Sequence, residues 1–425
     1  LGASIKKKIS LIEEILREKN INIVETNKID KNKLNKIEIW AKKFNGNLNK
    51  LKKYCYDGQN LGLGVSSSLI SFFHQSNFNT ETHKKIVHKC LITSAIIYER
   101  SLDLIKKIKP DEIVTFNNRF ATALPIVLAA KKMRINIIRH ERGSDFNKYE
   151  IFKKDIHNLS YRSDNIDYYW NEEKNFQKKL NIAKKYFYNR RNGIPLSWDL
   201  KKNHASNQSR GYVPIPNKKY RIIFYTTNED EHESIKDQLT NLIWKSQEVA
   251  LKKLIQCLKL LKNFELFIRV HPVSDKRKSL HDQNKWKKYH DGKNIFVVPH
   301  DSKINSYELL DSAHLITTYG GNIGIESIYW GKNVLTLRNA YYSKKKIIFE
   351  PKNFTELKNY ILNLKFLKKP PNKKKVLPFG YYFMIFGKKF KFFKCKNFDE
   401  CYYKNKQITH LNPFLKKIKK AYTNL

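Results

Sequence analysis

From Tyr220 onward the chain alternates at short intervals between runs suited to a strand and runs suited to a helix, and no other feature restricts its fold so much. The runs "YRIIFYTT", "FELFIRV", "NIFVVP", "HLITTY" and "NVLTL" are short, largely apolar and rich in β-branched or aromatic residues. Beside them lie "LTNLIWKSQEVALKKLIQCLKLL", "NSYELLDSA", "NIGIESIYWG" and "NFTELKNYILNL", with apolar residues at helical spacing. Strands apolar on both faces and separated by helices predict a parallel sheet covered on both sides. The second half is therefore expected to be α/β and doubly wound, a Rossmann-like domain.

One similar unit occurs upstream. "DEIVTF" (111–116) reads as a strand, "ATALPIVLAAKKM" as a helix despite Pro125, and "INIIRHERG" (135–143) as a strand running into a loop. Strand, helix, strand at this spacing is a βαβ unit. The first hundred residues read as mainly helical, from Ile5, Ile9, Ile12 and Leu16 through "LNKIEIWAKKF" to the run that ends at Pro110. Because 425 residues exceed one ordinary core, two domains are expected. They are residues 1–212, with a Rossmann-like core at 111–145, and residues 213–365, joined through "RGYVPIPNKK" (210–219). Residues 366–425 form a basic, aromatic extension. It either packs back on the N-terminal domain or meets an anionic headgroup layer.

The formal charge of +44 points first to nucleic acid, yet only 14 of the 83 basic residues are arginine and the lysines run along the whole chain. Nucleic-acid readers concentrate their basic residues on one face. The charge thus draws the chain to anionic surfaces, anionic lipid among them, without naming a partner. No run approaches the roughly 18–20 apolar residues of a membrane-spanning helix, and no signal-peptide pattern opens the chain. Cys55, Cys90, Cys257, Cys395 and Cys401 are scattered without a Cys-x-x-Cys pair. That predicts reduced thiols in a cytoplasmic protein and no structural zinc.

In open parallel α/β sheets a ligand binds beyond the carboxyl ends of the strands. "FIRVHP" places Arg269, His271 and Pro272 at one such end, and "TTYGGNIGIES" (317–327) runs from another through Gly320 and Gly321 into a helix. The glycines permit close approach of a backbone. The N–H groups of a helix starting near Asn322 suit an anion, and Arg269 adds a cation for phosphate. Glu326 either accepts ribose hydroxyls or suits the dipole of the first helical turn.

Taken together and in order, "FIRVHP…ELLDSAHLITTYGGNIGIESIYWGKNVLTL" resembles the donor-binding domain of GT-B glycosyltransferases of bacterial surface polysaccharide synthesis. It is most similar to the capsule polysaccharide biosynthesis proteins and the related Kdo- and sialyltransferase groups. The resemblance implies two Rossmann-like domains with a nucleotide-sugar cleft between them, residues 1–212 on the acceptor side and 213–365 on the donor side. It implies that His271 and Pro272 meet the nucleotide, commonly CMP. It further implies that Thr317, Thr318, Gly320, Gly321 and Asn322 hold phosphate and that Glu326 binds ribose. The loop departs from the Ser/Thr-rich form of many relatives by reading "TTYGGN". No cofactor beyond the nucleotide-sugar donor and no metal ion are implied.

Upstream, "FNNRFATALPIVLAAKKMRINIIRHERGSD" resembles the same group more loosely. Glu141-Arg142-Gly143 occupies the place of an acidic-x-Gly motif that holds the catalytic carboxylate. An inverting transfer needs a base for the acceptor hydroxyl and cations for the leaving phosphate. Glu141 or Asp145 is the candidate base, and Asn118, Arg119 and Arg142 are candidates toward phosphate or acceptor. The plainer alternatives are a salt bridge of Glu141 with Arg139, Arg142 or Arg119, and a simple turn at Asn117 and Asn118. "TNEDEHES" (227–234) reads as loop and helix start rather than a metal site.

The expected function is transfer of a sugar, from a CMP-sugar by preference, to a surface polysaccharide such as capsule or lipopolysaccharide, or to a lipid-linked glycan. The expected place is cytoplasmic, peripheral at the inner face of the plasma membrane. A polyol-phosphate transferase or nucleotide-sugar epimerase of the same architecture is the alternative enzyme. A non-catalytic basic protein binding nucleic acid or membrane is the alternative of another class.

Overall fold

The computed structural model describes residues 12–26, 28–196, 213, 220–228, 244–271, 285–364, 367, 370–397 and 400–408. The chain forms two compact units, Leu1–Ile156 together with Phe386–Leu425, and His157–Ile385.

After a helical stretch at 12–18, the first unit holds helices α1 (Lys31–Lys42), α2 (Leu48–Leu51), α3 (Leu61–Phe73) and α4 (Lys84–Ile108). Asp30 caps α1 by accepting from the Lys33 amide at 2.8 Å. Strand β1 (Glu112–Phe116), helix α5 (Leu124–Lys132) and strand β2 (Asn136–Arg142) form the expected βαβ unit, with β1 and β2 parallel. Pro125 sits in the first turn of α5, where its missing N–H would have no helical partner anyway. Strand β3 (Lys148–Phe152) then folds back antiparallel on β2, and a short strand (Lys388–Lys389) completes a sheet of four. The Rossmann-like element here is this single βαβ unit. Tyr98, Leu102, Val127, Ala130 and Ile137 bury the helices against it.

The second unit begins with helices α6 (Leu159–Glu172) and α7 (Phe176–Arg191). Its sheet holds β4 (Tyr220–Tyr225), β5 (Phe264–Arg269), β6 (Ile295–Val298), β7 (Leu315–Thr318) and β8 (Val334–Thr336). All are parallel, in the order β6-β5-β4-β7-β8. Helices α8 (Gln247–Leu258), α9 (Ser306–Ser312), α10 (Ile323–Tyr329) and α11 (Phe354–Leu362) alternate with the strands. This is the doubly wound arrangement expected from the apolar strand runs. Ser246 caps α8 by accepting from Val249 at 3.2 Å, so the described helix starts at Gln247; residues 239–243 of the expected helix lie outside the described residues.

The units divide after residue 156, not near 212 as the linker composition suggests. Helices α6 and α7 pack on α12 (Leu377–Ile385), the far end of the same unit. Gly380 lets α7 approach, since a Cβ there would lie 2.7 Å from the Phe187 ring and 2.8 Å from the Ala183 carbonyl. The expected extension is therefore split, with 377–385 in the second unit and 386–408 in the first. Most of the linker 210–219 lies outside the described residues.

The cysteine expectation needs one correction. Cys395 and Cys401 form a disulfide, facing each other across the antiparallel strands β10 (Phe393–Asn397) and β11 (Glu400–Tyr403). A hairpin brings opposed residues together whatever their spacing, so no Cys-x-x-Cys pair was needed. Among the described residues no helix is long and apolar enough to cross a membrane.

Candidate functional site

In the second unit the strand order reverses between β4 and β7, the switch point where doubly wound sheets open a crevice at their carboxyl ends. Thr226 and Thr227 follow β4, His271 follows β5, the loop Tyr319–Asn322 follows β7, and Arg338 follows β8. These ends are tied to one another. The His271 amide donates to Thr226 Oγ1 at 2.9 Å. The buried Gln247 side chain accepts from the Thr227 amide at 2.7 Å and donates to its carbonyl at 3.3 Å.

The two glycines of the loop are tightly surrounded. Gly320 sits at φ +79°, and a Cβ there would lie 3.1 Å from both Nε and Nη2 of the buried Arg338. A Cβ on Gly321 would lie 3.0 Å from the Thr227 methyl and 3.2 Å from Thr318 Oγ1. Thr318 Oγ1 accepts from the Gly321 amide at 3.2 Å, and Tyr342 donates to the Gly321 carbonyl at 2.9 Å. Asn322 makes no cap bond; its Oδ1 accepts from Tyr341 at 2.7 Å. Thr317 is fully buried and donates to the Ile223 carbonyl at 3.1 Å, within the sheet. Thr318 and Asn322 thus shape the loop, while Thr317 ties β7 to β4.

Glu326 is 3% exposed and held on both oxygens. Tyr307 donates to Oε2 at 2.6 Å, while Tyr186, at 3.4 Å, and Arg190 Nε, at 3.3 Å, reach Oε1. Burial, with the Glu326 charge beside it, pushes the Tyr307 hydroxyl well above the usual phenol range. Arg269 is equally enclosed. Its Nη1 donates to the Pro299 carbonyl and its Nε to Ser306 Oγ at 3.2 Å, leaving Nη2 buried and without a hydrogen bond among the described residues. Burial lowers its pKa to about 10. Pro272 and most of "TNEDEHES" lie outside the described residues.

The first unit carries the other candidates, at the carboxyl ends of β1 and β2. Asn117 takes a left-handed conformation at φ +47°, which asparagine tolerates better than most residues. Its Oδ1 accepts from the amides of Asn118 at 2.7 Å and Arg119 at 3.2 Å, an Asx turn. Its Nδ2 donates to Glu141 Oε2 at 2.9 Å, so the turn also orients the carboxylate. Glu141 Oε1 accepts from the Arg142 amide at 3.0 Å, and among the described residues Glu141 forms no ion pair. Asp145 instead belongs to the β2–β3 turn, accepting from the Asn147 amide at 2.8 Å with Lys148 at 3.6 Å. Asn118 is 2% exposed; its Nδ2 donates to Asp155 at 2.7 Å, and its Oδ1 has no partner among the described residues. Arg119 and Arg142 lie over the rings of Phe120 and Phe146. Sequence reasoning missed Asp155, Gln247, Tyr307, Tyr186, Arg190 and Arg338. Only Arg338 carried a local signal, a cation just past a strand end.

No protein-family model and no curated protein matches the chain. Among solved structures it is similar to Thermosulfurimonas dismutans KpsC, a beta Kdo 2,4 transferase, at 14% identity over 64% of this chain and 87% of that one, with a TM-score of 0.37. It is also similar to UDP-GlcNAc 2-epimerase from Neisseria meningitidis, at 14% identity over 69% and 76% with a TM-score of 0.26. The spinosyn rhamnosyltransferase SpnG matches at 9% identity over 68% and 75% with a TM-score of 0.30.

Gly324 provides a direct test of the loop's packing. A Cβ there would lie 2.4 Å from the Tyr342 hydroxyl and 2.9 Å from Cζ, and Tyr342 is fully buried. Gly324→Ala is expected to displace Tyr342 from the Gly321 carbonyl and cost about 1–3 kcal/mol of stability. Denaturant unfolding checks this; an unchanged midpoint would mean the loop is looser than the geometry says.

Proposed function

We propose that this chain is a GT-B-type glycosyltransferase, taking a sugar from a nucleotide-sugar, a CMP-sugar by preference, and passing it with inversion and without a metal ion to a surface-polysaccharide or lipid-linked glycan. The observation that carries the reading is the glycine loop Tyr319–Asn322 at the switch point of a doubly wound sheet, held by Thr318 at the end of β7 and by Tyr341 and Tyr342 beyond β8. A hydrogen-bonded turn with two adjacent glycines beyond the strand ends suits close approach of a phosphate. In this reading Glu141 takes the acceptor hydroxyl proton as the oxygen attacks the anomeric carbon. The bond from that carbon to the phosphate oxygen breaks, and CMP leaves. The enzyme works in the cytoplasm, in peripheral contact with an anionic membrane.

The test is a thermal-shift screen of CMP, CDP, UDP, GDP and TDP without added metal. CMP at ~100-fold excess over its Kd is expected to raise Tm by about 5 °C or more, and His271→Ala to abolish the rise. Glu326→Gln keeps the buried shape and separates a ribose contact from loss of folding. Selectivity for UDP, GDP or TDP would discard the CMP-sugar assignment, pointing to another transferase or to the epimerase. No response to any nucleotide would overturn the enzyme reading.

A further inference from the structure

We propose that the antiparallel meander after residue 386 is the surface on which the first unit docks to an anionic membrane. The meander comprises β10, β11 and a last short strand (Lys406–Gln407), and the strand Lys388–Lys389 leads into it. Along β10, Lys394 and Lys396 are exposed, while Phe393 and Cys395 on the opposite face are partly buried. Phe393 packs against Tyr403, the disulfide joins the strands, and the Cys395 amide donates to Asn147 Oδ1 at 2.7 Å. The meander is therefore anchored on one face and offers lysines on the other.

Just before β10, Phe392 is 46% exposed, with the Lys19 and Lys391 ammonium groups 3.8 and 5.4 Å from its ring centroid. Lys404 and Lys406 are taken up by Glu18 and Glu14. Among the described residues Lys388, Lys389, Lys391, Lys394 and Lys396 have no such carboxylate partner. Five cations within nine residues, Lys391 among them beside the exposed Phe392 ring, match a headgroup layer in which the ring enters the apolar boundary and the lysines stay with the phosphates. No arginine occurs after Arg338, so the bidentate and guanidinium-stacking contacts that arginine gives to nucleic acid are absent from this patch. The inference rests on the transferase reading only in expecting the acceptor at a membrane.

The experiment is co-sedimentation of the full chain with phosphatidylcholine vesicles, with and without phosphatidylglycerol. Salt-sensitive binding to the anionic vesicles is expected. Replacing Lys391, Lys394 and Lys396 by Gln is expected to weaken it roughly 100-fold or more, from the attraction of each lysine to the surface. Phe392→Ser alone should lower it about tenfold, through a change too small and exposed to unfold the unit. The control replaces Lys42, Lys85 and Lys89, exposed on other helices, by Gln. Equal loss in the control would make binding a property of the net charge and overturn the proposal. So would unchanged binding in the meander variants, or binding to single-stranded RNA that they abolish while vesicle binding survives. Vesicle binding that depends on the meander in a chain with no nucleotide response would support this surface and sink the transferase reading.

Discussion

Glu141→Gln is expected to lower sugar transfer about 10²–10⁴-fold, the usual contribution of a general base, while leaving nucleotide binding unchanged. The substitution keeps the size of the side chain and an oxygen that accepts from Asn117, but removes the basic lone pair that receives the acceptor proton. Asn117 connects the two strand ends by forming the turn with one atom of its amide and holding Glu141 with the other. Asn117→Ala should therefore lower the rate less than Glu141→Gln, because the carboxylate remains but is no longer oriented. Asp145→Asn should have little effect, since Asp145 serves its own turn. The measurement is nucleotide release from the donor selected by the thermal screen, beside calorimetric binding of the same nucleotide. Full activity in Glu141→Gln with loss in Asp145→Asn would move the base to Asp145. Loss of nucleotide binding in Glu141→Gln would mean a damaged fold rather than a missing base.

Arg221→Met is expected to destabilise the second unit by about 3–5 kcal/mol, the cost of leaving a buried charge without its partner. Arg221 on β4 faces Glu265 on β5 in register, with Nε 2.7 Å from Oε1, and both are buried at 0% and 6% exposure. The guanidinium also lies 4.9 Å from the Phe267 ring centroid. Removing the arginine leaves a buried carboxylate without its cation. The paired change Arg221→Met with Glu265→Leu should recover most of the loss, since well-packed apolar residues often replace a buried pair at no cost. Urea unfolding of the single and double variants reads both numbers. A single-variant cost below about 1 kcal/mol would mean the carboxylate is hydrated, as in exposed pairs. The pair lies toward the amino end of β4, away from Thr226 and the glycine loop, so nucleotide binding by the folded fraction should not change.

Much of the candidate site was legible because its markers are local. A glycine that must adopt φ +79°, a histidine just beyond a strand, and an acidic residue before Gly143 announce themselves by position. What those residues touch was not legible. Glu326 reads as a ligand or a dipole partner from its place in the first turn of α10, yet Tyr186 and Arg190 reach it from 140 and 136 residues away. Thr318 and Asn322 read as phosphate contacts, and the loop and Tyr341 engage them. Nothing in "FKKDIHN" marks Asp155 as the partner of Asn118.

The sequence by itself determined the α/β class, the doubly wound second half and the strand ends where a ligand would sit. Apolar runs of strand length between helices can be satisfied only by burial on both faces of a parallel sheet. Tertiary structure alone decided where the units divide, that Cys395 meets Cys401, and which polar side chains brace the loop. Those outcomes depend on which side chains face each other once the backbone has folded, across a hairpin for the cysteines and across more than a hundred residues for Glu326 and its partners, and periodicity along the backbone carries no record of such meetings.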